Sequence, residues 1–246
     1  MSDKFSKYNG SKDFDRSLKL IPHFIRFPEM MPWIGSDYSN QGTRILIIGE
    51  SHYFKDTTLH HDPKIWYSRS FPESLDLRSG HRVRHQITRS IDNKFGKETH
   101  IMHKNLNNEL GKCYYFDRQN TTTNSPYNSI AYLNYFQRPA NKTGGSISPK
   151  ALDIEVSLET IKGVINIIKP EVVLFASVKA FSIAKKSSLF SEIKLDYDYA
   201  SHPCSVHWNK ACKKYGKLQG ENYGKITGRD RFVKAINKMA KISTIS

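Results

Sequence analysis

Residues 45–49 read Ile-Leu-Ile-Ile-Gly, an unbroken apolar run that stops at a glycine and gives way at once to Glu50, Ser51 and His52. A strand with one face in water alternates apolar and polar residues. A run without alternation belongs to a strand covered on both faces, as in a parallel sheet between helical layers. Residues 130–134 (IAYLN) and 172–176 (VVLFA) repeat the pattern, the latter introduced by Lys169-Pro170. Residues 195–200 (LDYDYA) alternate and run into Ser201-His202-Pro203.

Helices fit between these strands. Val83, Ile87, Ile91 and Phe95 recur every four residues, which predicts an amphipathic helix over 82–95. Leu158, Ile161, Ile165 and Ile168 form one stripe on a helix that must stop before Pro170. Ser177 is placed to cap a helix over 178–186. Phe232, Ile236 and Met239 mark a last helix with Lys234, Lys238 and Lys241 on its other sides. Strands alternating with helices predict an α/β fold, a three-layer α/β/α sandwich on a short, mostly parallel sheet. Ligands of such sheets sit outside the carboxyl ends of the strands. The polar endings at 49–53, 134 and 201–207 are therefore expected to gather at one edge.

Residues 1–40 read as an N-terminal arm or tail, and 41–246 as one domain. Residues 55–125, polar and rich in Asn, His and Thr, read as a long insertion with partial helix, and 141–149 as a flexible loop. Three cysteines without a signal-like segment predict reduced thiols in a cytoplasm. No stretch approaches the roughly 20 apolar residues of a membrane span. A formal net charge of +15 favours a polyanionic partner, because each phosphate neutralised by Lys or Arg releases counterions.

Three motifs in order carry a resemblance. Gly49-Glu50-Ser51-His52-Tyr53 follows an apolar strand, Leu133-Asn134 ends another and is followed by Arg138-Pro139, and His202-Pro203-Cys204-Ser205 follows a third. Together they resemble the uracil-DNA glycosylase superfamily, whose best-known branch reads Gly-Gln-Asp-Pro-Tyr, a strand ending in Asn, and His-Pro-Ser. Ile168 to Val173 is similar to the helix-to-strand passage before that family's fourth strand. The likeness spans about 45–207 and implies a four-stranded sheet.

It also implies a chemistry. Breaking the bond between uracil and its sugar makes the sugar oxocarbenium-like and the base anionic. Such a site needs donors aimed at the uracil oxygen, a placed water and excluded solvent, with no metal or cofactor. The base must leave the stack to be read. By the resemblance, His202 donates to the uracil O2, and Asn134 reads the base: its carbonyl accepts from N3–H and its amide donates to O4. Tyr53 crowds the base C5, and Gly49 belongs to the same pocket. Ser51 stands where the best-known branch has a water-activating Asp. Glu50 is placed to orient water or contact the pocket, and His52 to act as a base near neutral pH. Pro203, Ser205, His207 and Lys210 are expected on the DNA backbone, Trp208 against a base or the core, and Trp66, Tyr67 or Phe71 as a stacking aromatic.

Three functions are thus expected. The first is a DNA base-excision hydrolase, monomeric and cytoplasmic, that removes uracil or a related deaminated base and uses no membrane. The second is a nucleic-acid- or nucleobase-binding member of the same fold with altered catalysis. The third is a metal-dependent hydrolase using His81 and His85, four apart on a helix, with His60, His61, His100 or His103. His81-Arg82-Val83-Arg84-His85 lacks the Glu of a zinc-protease helix, and its flanking arginines disfavour a cation, so no metal ligand is assigned.

Overall fold

The computed structural model describes residues 9–52, 61–68, 83–97, 99–117, 125–141, 145–187, 189–192, 195–218, 221–222 and 224–240. Its strands are β1 (Trp33–Ile34), β2 (Ile45–Gly49), β3 (Ile130–Asn134), β4 (Val172–Phe175), β5 (Asp196–Tyr199), β6 (Lys217–Leu218) and β7 (Glu221–Asn222). Its α-helices are α1 (Asp15–Leu18), α2 (Pro22–Arg26), α3 (Pro63–Ser68), α4 (Val83–Asp92), α5 (Ile101–Leu110), α6 (Tyr114–Asp117), α7 (Ala151–Ile168), α8 (Val178–Lys186), α9 (Leu189–Glu192), α10 (Val206–Asn209) and α11 (Gly228–Met239).

The main sheet has the order β1-β3-β2-β4-β5. Strands β2 to β5 are parallel, in a register that sets Ile45 beside Ile130 and Val172, and Gly49 beside Asn134. β1 is antiparallel to β3 at the edge. The four parallel strands are those expected from the sequence. The fifth comes from Trp33–Ile34, so the sheet has five strands rather than four.

Strand side chains alternate between two cores. Leu46, Ile48, Ala131, Leu133, Val173 and Phe175 join one, with residues of α1, α2, α3, α7 and α8. Ile45, Ile47, Ile130, Tyr132, Val172 and Leu174 join the other, with residues of α4, α5, α6 and α11. Each fully buried Leu, Ile or Phe contributes about 1.5–3 kcal/mol, which is why an unbroken apolar run makes a central strand. The three-layer α/β/α arrangement is therefore present.

The helix ends are local. Asp153 accepts the Lys150 backbone N–H at 2.8 Å to start α7, and Lys169 takes a left-handed conformation (φ 48°) to end it before Pro170. Ser177 caps α8 by accepting from the Ala180 N–H at 3.2 Å. Thr227 and Asp230 cap each other's backbone at the start of α11.

Two expectations of organisation change. Much of the 1–40 arm is core: Leu18, Phe24, Phe27, Trp33, Ile34 and Tyr38 are all at most 1% exposed. Its short apolar clusters are separated by Pro and charged residues, which hid a strand and two helices from periodicity. Within 55–125, the described residues are the crossover from β2 to β3 rather than an appended insertion. They send Trp66 and Tyr67 into one core and Val83, Ile87, Leu106 and Leu110 into the other. No helix among the described residues is long and apolar enough to cross a membrane.

Candidate functional site

β3 lies on one side of β2 and β4 on the other, so the chain reverses direction across the sheet at β2 and β4. The crevice outside the carboxyl ends of those two strands is where open α/β sheets bind ligands. The ladder runs a residue or two past the strand ends: Tyr135 N–H donates to Gly49 O at 3.1 Å and Ala176 N–H to Ile48 O at 2.8 Å. The segments after β2, β3 and β4 are therefore held side by side at this edge.

Glu50 is the first residue beyond β2 and is buried. Ser177 donates its hydroxyl to Glu50 Oε2 at 2.7 Å, and Ser146 donates to Oε1. Ser146 belongs to the 145–150 segment, which is fastened by Lys179 Nζ donating to Ile147 O at 2.6 Å. Both carboxylate oxygens thus accept a serine hydroxyl from a different segment.

Ser51 and His52 follow, both buried. The Ser51 hydroxyl has no hydrogen-bond partner among the described residues. His52 bridges to Pro139, and its carbonyl accepts from Ala140 N–H at 2.9 Å. Tyr53 and Phe71 lie outside the described residues, as do His60 and His81.

Asn134 ends β3 and is 5% exposed. Its Oδ1 accepts from the Tyr132 hydroxyl at 2.9 Å, and its Nδ2 faces His52 Nδ1 at 3.4 Å. Gly49 makes room for this group. A Cβ there would sit 2.1 Å from the Tyr132 hydroxyl and 2.3 Å from Asn134 Oδ1.

His202 follows β5 in a loop where Pro203 is buried and its carbonyl accepts from Asn105 Nδ2 on α5 at 2.8 Å. His202 Nδ1 accepts the Cys204 backbone N–H at 3.1 Å. A neutral imidazole with Nδ1 accepting carries its proton on Nε2, so the ring presents one N–H donor. Burial holds His202 below the usual imidazole value, the Glu50 carboxylate pulls the other way, and His100 adds to the lowering. Glu50, His100 and His202 therefore share one electrostatic neighbourhood.

The remaining predicted residues divide. His207 and Lys210 are exposed beside this loop, and Ser205 is half-buried with its hydroxyl turned inward. Trp208 is core, packed edge-on against Phe232. Trp66 and Tyr67 are not free to stack on a base. Trp66 lies against Phe27 and donates to Gln137 O at 2.9 Å, and Tyr67 donates to Asp153 Oδ1 at 3.0 Å. Their aromatic character serves the core because α3 packs against α7.

Arg138, which followed Asn134 in the resemblance, is fully buried and bidentate to Asp153 at 2.7 and 2.9 Å. It pins the segment after β3 to the start of α7. Among the described residues no three His, Cys, Asp or Glu side chains come together in a way that could hold a metal ion. His103 is buried against Tyr127, with Nδ1 3.0 Å from the hydroxyl, and His100 caps α5 by accepting from Met102 N–H.

Sequence reading missed Tyr132, Ser146, Asn105 and the bond from Ser177 to Glu50. Tyr132 was findable, since residues two apart on a strand share a face. Ser146, in a stretch of loop composition, carried no signal. No protein-family model matches this chain, and no curated protein matches it significantly.

Proposed function

We propose that the protein is a DNA base-excision hydrolase that removes uracil or a related deaminated base. The observation that carries this reading is the His202 ring. Its Nδ1 is occupied by a backbone N–H, which leaves Nε2–H as a donor at the carboxyl edge of the sheet, near the buried Glu50 carboxylate.

In this reading the flipped base enters the crevice and Asn134 reads its pairing edge. As the bond from the sugar C1′ to the base nitrogen breaks, its electron pair moves onto the base, and His202 Nε2–H donates to the oxygen where charge collects. Glu50 sets a negative charge near the cationic sugar. With both oxygens already bonded to serines, it acts by its field rather than by taking a proton. The Ser51 hydroxyl, buried and without a described partner, holds the water that attacks C1′, and the proton this water sheds ends on the departing base anion, giving the free neutral base. An oxocarbenium-like sugar is electrophilic enough that a weakly basic holder serves.

DNA as partner is supported by charge placement. Residues 206–240 hold nine Lys and Arg against two acids. Of these, Lys210, Lys213, Lys214, Lys225 and Arg229 are exposed. An open cleft of about 690 Å³ along α11 adjoins that surface, its lining holding Lys112, Arg229, Lys234 and Lys238 against Glu109 and Asp230. Val206, 68% exposed at the start of α10 just after the His202 loop, adds an apolar side chain to that surface. The expected setting is a reducing cytoplasm, with the protein acting as a monomer.

The test is incubation in chelator with labelled single- and double-stranded oligonucleotides carrying one uracil, followed by alkali. Breaks at the uracil support the proposal, and intact strands with protein in excess reject uracil excision. A second reading, base binding without hydrolysis, is favoured by one observation: no carboxylate of the first motif is left to take a proton from water. It predicts binding of the same oligonucleotides with no breaks.

A further inference from the structure

The base-reading amide of Asn134 is useful only in one orientation. With its carbonyl toward the base N3 and its amide toward O4 it accepts uracil; rotated by half a turn it presents the complementary pattern to cytosine. Resting on the proposed function, we infer that Tyr132 is a specificity-determining positioning residue that holds Asn134 in the uracil-reading orientation.

Three observations carry this. The Tyr132 hydroxyl donates to Asn134 Oδ1 at 2.9 Å, and Asn134 Nδ2 faces His52 Nδ1 at 3.4 Å, so both sides of the amide are engaged inside the protein. Each engagement uses half of a group: the carbonyl keeps a lone pair and the amide keeps a hydrogen for the base. The rotated state is poorer. There the amide would donate to the Tyr132 oxygen, and the phenol hydrogen would turn to Met102 Sδ, 3.6 Å away. A phenol oxygen is a poorer acceptor than an amide carbonyl and a thioether is weaker still, so rotation trades the O–H···O=C bond for an N–H···O bond to the phenol and a weak O–H···S contact. The site is also built to keep the pair together. Gly49 is the neighbour whose Cβ would overlap both the Tyr132 hydroxyl and Asn134 Oδ1.

One neutral hydrogen bond is worth about a five- to ten-fold change in an equilibrium. Tyr132→Phe removes the donor and leaves the amide set only by His52, whose own tautomer can follow it. Preference for uracil over cytosine should fall by about that factor.

The measurement is the affinity of duplexes carrying one non-hydrolysable 2′-fluoro-2′-deoxyuridine or 2′-fluoro-2′-deoxycytidine, for the wild type and Tyr132→Phe, with melting temperatures alongside. Gly49→Ala is the second variant, since its Cβ would push the Tyr132 hydroxyl and Asn134 Oδ1 apart while leaving the phenol donor in place. Loss of the uracil preference in both variants supports the inference. A weakening of both ligands alike, with the ratio kept, would make Tyr132 merely structural and overturn it while leaving base reading by Asn134 in place. No preference in the wild type would remove base reading by Asn134 itself, and the inference with it.

Discussion

Ser177 donates its hydroxyl to Glu50 Oε2 at 2.7 Å across 127 residues of sequence, joining the exits of β4 and β2. Ser177 Oγ in turn accepts the Ala180 N–H that starts α8. One side chain therefore closes a helix and fixes a buried carboxylate. Loss of an N-cap costs about 1 kcal/mol, and loss of a hydrogen bond to a charged group about 1.5–3 kcal/mol. Ser177→Ala should lower unfolding free energy by roughly 2–4 kcal/mol in urea titration. A change below about 0.5 kcal/mol, the range of neutral surface substitutions, would show that Glu50 is held by other means.

Arg138 and Asp153 form the most deeply buried ion pair among the described residues, with side chains 1% and 0% exposed. Asp153 also accepts from Tyr67 and from the Lys150 N–H, so its removal orphans four donor groups on three residues. Breaking such a pair from one side costs about 3–5 kcal/mol, because a charge is left buried alone. Asp153→Ala and Arg138→Met should each destabilise by that order, and the double variant by less than their sum. Additive losses in a double-mutant cycle would contradict the coupling.

Two buried histidines, His23 and His103, contribute strongly to acid sensitivity, in the same direction as His100 and His202. Burial holds His23 and His103 near a pKa of about 3, from an ordinary value of 6.5. Folded pKa values below the unfolded ones mean that the unfolded chain binds protons first as pH falls. Stability is therefore full above pH 6.5 and is lost between 6.5 and about 3. At pH 5 each residue removes on the order of 2 kcal/mol. Urea midpoints at pH 7 and pH 5 measure this. His103→Gln should shrink the difference by that one residue's share, on the order of 2 kcal/mol, and an unchanged difference would assign acid sensitivity elsewhere.

The cations beside the His202 loop make a separate prediction. If Lys210, Lys213 and Lys214 meet phosphates, the slope of log affinity against log salt should shrink by about 0.9 for each one replaced by Gln. Fluorescence anisotropy with a labelled duplex at several salt concentrations reads this. An unaltered slope in the triple variant would move the backbone contact to another face.

The parallel core of the fold was legible because ILIIG, IAYLN and VVLFA are apolar without alternation, and Ser177 and Pro170 mark helix ends by local chemistry. The β1 edge was not, since two residues carry no period and Trp33–Ile34 owes its place to pairing with Tyr132 and Ala131. The gathering of segments at the carboxyl edge was legible where motifs abut strand ends, as at Gly49, Asn134 and His202. It was not legible where partners come from distant segments: Ser146 reaches Glu50 from 96 residues away, and Asn105 reaches Pro203 from 98. Trp66 shows the converse. An exposed stacking ring and a core ring look alike in sequence, and only packing against Phe27 separates them.

The central claim is that His202 Nε2–H serves bond cleavage at the carboxyl edge. It is tested most directly by single-turnover excision of uracil from an oligonucleotide at pH 7.5, comparing wild type with His202→Ala. The account predicts a rate reduced by about a hundred-fold or more, as when a donor to developing charge is removed, with a melting temperature that stays close to wild type. Equal rates in the two proteins would contradict it.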